Sequence, residues 1–233
     1  MFSEVRTVEV EPPTRTGTRD GLAYALFLPR AQAAGGVVLV HGADSRKENH
    51  FDAARALRAA RLAVVAYDQR GHGASAGALG AGVLDDVAAM AALLPAGPLA
   101  LRGSSLGGFV ALRAGARLRA AAVVAICPPS AEQLARGLRT PRRFGFRVDR
   151  AGLEALLAAA DLQADAAALG ERLLLLHAEG DETVPVEHSR ALHAAAPGSR
   201  LVVVPGGHHR SVQHDPELLA LSVRFLARAC ATG

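Results

Sequence analysis

Residues 103–107 read Gly103-Ser104-Ser105-Leu106-Gly107. The motif follows a short apolar run, Pro98 to Arg102, and precedes a helical pattern over residues 106–117. A serine at such a strand–turn–helix junction has strained backbone torsions that expose its hydroxyl at the sheet edge, and the flanking glycines let neighbouring backbones approach closely. The pattern predicts a nucleophile elbow with Ser105 at its tip. An ordinary glycine-rich turn gives the same letters, so the interpretation depends on the rest of the chain.

Short apolar runs alternate with helical patterns along most of the sequence. The predicted strands are Val37 to His41, Ala63 to Tyr67, Leu99 to Arg102, Ala122 to Cys127, Leu173 to His177 and Leu201 to Val204. Helical spacing covers Phe51 to Ala60, Val83 to Leu94, Leu106 to Arg117, Val186 to Ala195 and Pro216 to Ala229. This alternation predicts an α/β fold whose mainly parallel, doubly wound sheet carries helices on both faces.

Two segments depart from this rhythm. Val5 to Val10 and Leu22 to Leu28 alternate less cleanly, and we expect them to form an antiparallel hairpin at the sheet edge. No strand pattern occurs over residues 128–169, where short helical patterns such as Ala131 to Leu138 and Ala151 to Ala160 follow one another. We therefore expect a single domain over residues 1–233, with a small helical cap inserted at approximately 128–169. Because this insertion follows a predicted strand, we expect it to rise from the carboxyl ends of the parallel strands, which is where open α/β sheets bind ligands.

The composition is that of a globular protein. Of 233 residues, 50% are hydrophobic and 21% are charged, and no apolar stretch approaches the roughly 20 residues needed to span a bilayer. Met1 to Arg6 mixes acid and base and lacks the form of a secretory signal, so we expect a cytoplasmic protein. Cys127 and Cys230 are too few for a disulfide framework.

The balance of charge does not predict a macromolecular partner. The formal net charge is +4 and the isoelectric point is near 9.8, but the arginines are mostly interleaved with acids, which is typical of a solvated surface. We expect no nucleic acid and no membrane as partner, only a small-molecule substrate. The sequence does not predict an oligomeric state.

A serine hydroxyl is a weak nucleophile at neutral pH, so Ser105 needs a base and an acid that orients the base. Asp181 follows the predicted strand Leu173 to His177 and is the candidate acid. His209 follows the last predicted strand and two glycines, and is the candidate base. Both lie where parallel strands end, at the same edge as Ser105.

Alternatives remain open at both positions. Asp181 after a glycine is also typical of a turn cap, and His208 is the alternate base. His208, His209, His214 and Asp215 also lie close together in sequence, but no helical H-x-x-x-H spacing occurs, so we do not expect a metal site.

Two backbone amides complete the predicted constellation. A glycine at Gly42 lets the amide of Ala43 point at a developing oxyanion, and Leu106, the residue after the elbow serine, supplies the second donor. The second predicted strand ends in residues 67–75, Tyr67-Asp68-Gln69-Arg70-Gly71-His72-Gly73-Ala74-Ser75, a glycine-containing loop that we expect beside the site.

Together these motifs resemble the α/β-hydrolase superfamily, in the group of small serine hydrolases with a short helical cap. The resemblance rests on His41-Gly42, on residues 68–75 as D-x-R-G-x-G-x-S, on the Gly103 to Gly107 elbow, on Gly180-Asp181 with Val184-Pro185, and on the late histidine. The order Ser, Asp, His is the order that this family uses. The resemblance implies Ser105, Asp181 and His209 as a catalytic triad, with Ala43 and Leu106 as the oxyanion hole.

The expected reaction is hydrolysis of a carboxylic ester or thioester of a small molecule through an acyl-enzyme, with no cofactor and no metal. A small amide or peptide hydrolase is the alternative, as is a non-hydrolytic member of the fold: a lyase, a cofactor-free oxygenase or a binding protein. Substrate-binding residues are not predicted.

Between positions 136 and 150 six arginines accompany a single acid, Asp149; they are Arg136, Arg139, Arg142, Arg143, Arg147 and Arg150. The charges fit a solvated helix face. They also allow a second hypothesis, in which one or two of them reach over the site and favour an anionic substrate.

Overall fold

The computed structural model describes residues 10–140 and 144–231. Within these ranges eight strands are formed, in the order β1 Arg15–Arg19, β2 Leu22–Phe27, β3 Gly35–Val40, β4 Leu62–Tyr67, β5 Leu99–Ser104, β6 Ala122–Ile126, β7 Leu173–Ala178 and β8 Arg200–Val204. The six strands predicted from apolar runs are all confirmed, with ends that shift by at most two residues.

The main helices are α1 Phe51–Ala59, α2 Val83–Ala91, α3 Leu106–Arg117, α4 Ala131–Arg139, α5 Arg150–Ala158, α6 Leu162–Leu169, α7 Glu187–Ala195, α8 Ser211–His214 and α9 Pro216–Ala231. Among them α3 begins and ends as predicted, at the residue after Ser105 and at Arg117. The helical patterns at the other four predicted positions are confirmed to within a few residues at their ends.

The strands form one sheet in the order β1-β2-β4-β3-β5-β6-β7-β8. From β4 to β8 all neighbours pair in parallel, whereas β1 and β2 are antiparallel additions at one edge. The carboxyl ends of β5, β6, β7 and β8 therefore lie side by side, and the loops that follow them share one edge of the sheet.

The edge hairpin differs from the prediction. Its strands are Arg15–Arg19 and Leu22–Phe27, joined at Asp20 and Gly21, which both have positive φ. This Asp-Gly pair is the preferred sequence of a two-residue hairpin turn. The predicted partner Val5 to Val10 was therefore wrong for β2, and residues 5–9 lie outside the described residues.

Both faces of the sheet are covered. The strands β2, β3, β4, β6 and β7 are buried along their whole length, as expected of a sheet packed between helix layers. The core on one face includes Phe109 and Leu112 of α3, and the core on the other includes Leu57 of α1 and Leu226 of α9.

The predicted cap is present as α4, α5 and α6, which lie between β6 and β7 in the chain and are each N-capped by a Ser or Asp side chain. That residues 1–233 fold as a single domain stays a prediction. Over residues 10–140 and 144–231, we find no helix with the length and apolar character that a membrane crossing requires.

Candidate active site

Ser105 lies at the tip of a sharp turn between β5 and α3. Its backbone has φ 53° and ψ −125°, a conformation that L-residues rarely adopt. The strain is held because its N–H donates to the Ile126 carbonyl at 2.8 Å and its carbonyl accepts from Gly108 and Phe109. A side chain at Gly107 would overlap the carbonyl oxygens of Val40 and His41, so this turn needs glycine there. The structure therefore contains the strand–turn–helix elbow that the sequence predicted at Ser105.

Asp181 lies on the loop after β7 with its carboxyl group buried. One oxygen, Oδ1, accepts the backbone N–H groups of Thr183 and Val184, both at 2.8 Å. Burial alone would raise the pKa of this carboxyl, but the hydrogen bonds from Val184, His209 and Thr183 outweigh it, so the pKa lies below its usual value. Asp181 is therefore a carboxylate at neutral pH.

His209 is the partner of that carboxylate. Its Nδ1 lies 2.7 Å from Asp181 Oδ2. Since a carboxylate only accepts, His209 Nδ1 carries the hydrogen, and in the neutral ring Nε2 keeps a lone pair. The loop reaches this position through Gly206 and Gly207, which have φ of 66° and 74°. The acid and base loops are also joined by a bond from Gly180 N–H to the Gly206 carbonyl, at 2.9 Å.

The structure distinguishes the two candidate histidines. The side chain of His208 is solvent-exposed and its Nδ1 accepts the N–H of Arg210 in its own loop, at 3.3 Å. His214 binds Asp52 on α1, at 2.9 Å. The late histidines therefore diverge in space and contact different partners.

Three other potential metal ligands do converge among the described residues: Cys127, His177 and Asp181, within 4.8 Å of one another. His177 Nε2 donates to the Val184 carbonyl at 2.9 Å and its Nδ1 accepts from Ser189, while burial raises the pKa of Cys127 to about 12. Burial also lowers the pKa of His177, so both groups are neutral at neutral pH. His177 Nε2 lies 3.4 Å from Asp181 Oδ2, so the two packed side chains line the buried side of Asp181.

The turn after β3 lies directly against the elbow. A β-carbon built on Gly42 would be 3.3 Å from that of Ser105 and 3.2 Å from the Ser104 carbonyl oxygen. Neither the N–H of Ala43 nor that of Leu106 donates to any acceptor in the described part of the chain. Two unpaired amides beside a serine are what an oxyanion hole requires.

Polar contacts of the neighbouring residues hold in place the turn after β3 that contains Ala43, here called the Ala43 turn. His41 is buried; burial lowers its pKa to about 4, and its Nε2 accepts the N–H of Gln69 at 2.9 Å. Asp68 accepts from Lys47 twice, through the backbone N–H at 2.7 Å and through Nζ at 2.8 Å, and also from the N–H of Ala74. His41 and Asp68 thus order the loops through these hydrogen bonds.

The cap contacts this turn through residues 144–148. Phe146 stacks on His72 with ring centroids 3.9 Å apart, and His72 packs edge-on against His41 at 4.9 Å. The N–H of Gly145 donates to Asp44 Oδ1 at 2.8 Å, one residue after Ala43. No sequence signal pointed to Phe146, because a single aromatic residue in a loop has no periodicity.

The arginine hypothesis receives no support from the described residues. Arg136, Arg139, Arg147 and Arg150 are exposed, and Arg142 and Arg143 lie outside the described residues. Arg150 donates to the Leu138 carbonyl and lies over the Phe144 ring at 5.8 Å. This one arginine has a structural role within the cap, and the preference for anionic substrates stays a prediction.

The structure brings together Asp181 with His209, and Ser105 with the Ala43 turn. No hydrogen bond joins Ser105 to His209 across the described residues, and such bonds are often long before substrate binds. Gln213, which contacts the strand before Ser105, was not predicted from the sequence. A lone glutamine in a short helical turn has no pattern that marks it.

A strained serine between a parallel strand and a helix, with an Asp–His pair at the same sheet edge, defines an α/β hydrolase. Two family models agree: residues 31–147, half of the chain, match the family described as "Serine aminopeptidase, S33", and residues 158–228 match "TAP-like protein". The chain belongs to the α/β-hydrolase superfamily, in the first of these families. No curated protein sequence matches it.

Solved structures with the same fold include an esterase and a lipase. The esterase Pf2001 of Pyrococcus furiosus superposes with a TM-score of 0.70 at 21% identity, covering 94% of this chain and 99% of that one. Est1E from Butyrivibrio proteoclasticus, with ferulic acid bound, gives 0.69 at 20% identity, covering 92% and 97%. A Paleococcus ferrophilus monoacylglycerol lipase gives 0.65 at 21%, covering 91% and 98%. At these identities the likeness establishes the fold.

Proposed function

We propose that the protein is a serine hydrolase that cleaves a carboxylic ester or thioester of a small molecule. The observation that carries the proposal is the 2.7 Å contact of Asp181 Oδ2 with His209 Nδ1, formed at the sheet edge where Ser105 occupies a strained elbow. A base oriented by a buried carboxylate, at the same sheet edge as a partly exposed serine, is the arrangement that nucleophilic acyl transfer needs.

The first half of the reaction forms an acyl-enzyme. Ser105 Oγ attacks the substrate carbonyl while His209 Nε2 accepts the serine proton. Asp181 stabilises the imidazolium through Nδ1–H, and the amides of Ala43 and Leu106 stabilise the oxyanion. As the intermediate collapses, His209 gives its proton to the departing alcohol or thiol.

The second half releases the acid. A water molecule loses a proton to His209 and attacks the acyl carbonyl, a second oxyanion forms at the same amides, and the Ser105 oxygen recovers the proton. Every proton moves between groups of this chain, the substrate and water. The neighbours of the same fold that are named as an esterase and as a monoacylglycerol lipase support an ester over an amide.

The alternative is a small amide or peptide hydrolase, which the description of the matching family favours. The two functions separate on a substrate panel of p-nitrophenyl acetate and butyrate, a short acyl thioester, and aminoacyl p-nitroanilides. We expect kcat/KM to be highest for the esters. A higher kcat/KM on the anilides would replace the ester proposal with the peptidase one.

Each activity is assigned to the site by variants. Ser105→Ala should lower kcat by about 10⁴-fold or more, since the residual rate comes from binding and the oxyanion hole alone. Ser45→Ala is the control, because the Ser45 hydroxyl contacts Asn49 on the surface. Ester turnover that persists in Ser105→Ala would overturn the proposal.

A further inference from the structure

Gln213 joins the loop of His209 to the strand that precedes Ser105. It lies in α8, the single helical turn that begins two residues after His209. The hydroxyl of Ser104 donates to Gln213 Oε1, and Arg102 Nη2 donates to the Gln213 backbone carbonyl at 2.9 Å. Arg102 and Ser104 are two residues apart in β5, so their side chains leave the same face of the sheet.

The Arg102 contact is unusual because of where the arginine lies. Its side chain is 2% exposed in the middle of the sheet, and burial lowers its pKa to about 10, which leaves it charged at neutral pH. A buried charge is costly unless it is hydrogen-bonded. In the described part of the chain, the hydrogen-bond partner of this guanidinium is the Gln213 carbonyl.

The nitrogen of the Gln213 side-chain amide also has a hydrogen-bond partner. Its Nε2 lies 2.6 Å from His214 Nε2, and His214 Nδ1 lies 2.9 Å from Asp52 Oδ2 on α1. Because the Asp52 carboxylate accepts from Nδ1–H, the neutral His214 ring accepts at Nε2 from the amide NH₂. The amide therefore has one orientation, assigned from this network, with Oε1 towards Ser104.

These contacts matter because the backbone of the loop that carries His209 is conformationally permissive. It contains Gly206 and Gly207 with positive φ, and it is exposed over residues 205–208. On its acid side, His209 is tied to Asp181. On the side that faces the Ser105 elbow, the loop is held by the hydrogen bond between Gln213 and Ser104, the residue that precedes Ser105.

We propose that Gln213 is a positioning residue that sets the distance between His209 and Ser105 by binding Ser104. The inference rests on the proposed function, since it concerns the geometry of proton transfer from Ser105. In this role Gln213 acts through Ser104 and the loop of His209, and not on the substrate. A small displacement of a general base costs rate in the chemical step and leaves substrate affinity unchanged.

The test compares Gln213→Ala, Ser104→Ala and the double variant in p-nitrophenyl butyrate hydrolysis, with kcat expressed per site titrated by a fluorophosphonate. We expect each single variant to lower kcat about tenfold with KM unchanged, and the double variant to equal the singles because both remove one interaction. Gln32→Ala, a glutamine with an exposed side chain, should keep the wild-type kcat.

A conservative variant separates positioning from mere stabilisation. Gln213→Glu keeps an acceptor for Ser104 at the same distance, so kcat should return to within about threefold of wild type. A kcat per titrated site within twofold of wild type in Gln213→Ala would overturn the proposal, as would single effects that multiply in the double variant. A wild-type protein that neither labels nor turns over would contradict the hydrolase function itself, and the positioning role with it.

Discussion

Asp181 Oδ2 and His209 Nδ1 lie 2.7 Å apart, although 28 residues separate them in the chain. The contact joins the loops after two neighbouring parallel strands, β7 and β8. Asp181 is fixed independently by two backbone N–H groups on its other oxygen. The histidine is therefore oriented by a carboxylate whose own position does not depend on it.

Asp181→Asn should keep the shape of the site and remove its function. An asparagine amide can present NH₂ to His209 Nδ1, which favours the tautomer with hydrogen on Nε2 and leaves no base for Ser105. We expect kcat to fall by roughly 10³- to 10⁴-fold with little change in KM. Steady-state hydrolysis of p-nitrophenyl butyrate measures it. Glu179→Gln, on the exposed part of the same loop, is the control, and an Asp181→Asn enzyme within tenfold of wild type would contradict the assigned role.

Lys47→Met should lower the free energy of unfolding, because it removes a contact that supports the Ala43 turn. Lys47 is the only lysine in the chain, and its ammonium binds the fully buried carboxylate of Asp68 at 2.8 Å. Removing one partner of a fully buried pair costs about 3–5 kcal/mol. The loss is smaller here, because Lys47 is partly exposed and Asp68 keeps the backbone N–H groups of residue 47 and Ala74 as donors. Urea unfolding at pH 7 gives the free energy. Glu48→Gln removes only the exposed partner of Lys47 and should change stability little; equal losses in the two variants would contradict this role of the Lys47–Asp68 pair.

Stability should fall in mild acid because of His41. Burial lowers its pKa from 6.5 to about 4, so between these values the unfolded chain binds a proton that the folded protein does not. Acid therefore favours unfolding over this window, by up to about 3 kcal/mol at its lower end. The free energy of unfolding in urea should rise with pH from about 4 to 6.5, and less steeply in His41→Asn. Parallel pH profiles for the two proteins would show that His41 is not the cause.

Gly107→Ala should disrupt the elbow while a matched glycine tolerates the same change. A methyl group at Gly107 would meet the backbone carbonyls of Val40 and His41, which cannot move aside as a side chain could. We expect a loss of about 1–3 kcal/mol in stability, together with loss of activity, because the Ala43 turn shifts. Gly137→Ala is the control, since Gly137 lies in α4 with open space where a β-carbon would stand, and it should gain about 0.5–1 kcal/mol. Thermal unfolding and ester turnover of both variants test the contrast.

The sequence predicted the parallel strands well because each is an apolar run between turn residues, and buried parallel strands have that appearance. It predicted Ser105, Asp181 and His209 as a set because strand ends in this topology share an edge. The sequence favoured His209 with His208 as the alternate, but it could not show which of the two adjacent side chains contacts Asp181; in the structure His209 does. The hairpin partner of β2 was missed because Asp20-Gly21, rather than strand propensity, determines where that hairpin folds.

Contacts between distant loops had no sequence signal. Gln213 with Ser104, Lys47 with Asp68 and Phe146 with His72 each join segments more than 20 residues apart. In each pair one residue, Gln213, Lys47 or Phe146, belongs to no periodic pattern or local motif that we identified. Their partners are set by the sheet order, which places the ends of non-consecutive strands next to one another.

The central claim is that Ser105 is the nucleophile, and covalent labelling tests it most directly. Wild-type protein is incubated with a fluorophosphonate, and the adduct is located by peptide mass spectrometry while residual ester hydrolysis is followed in the same samples. We expect one adduct, on Ser105, that forms in proportion to the loss of activity and is strongly slowed in His209→Ala. An adduct on another residue, or full inactivation with Ser105 unmodified, would contradict the claim.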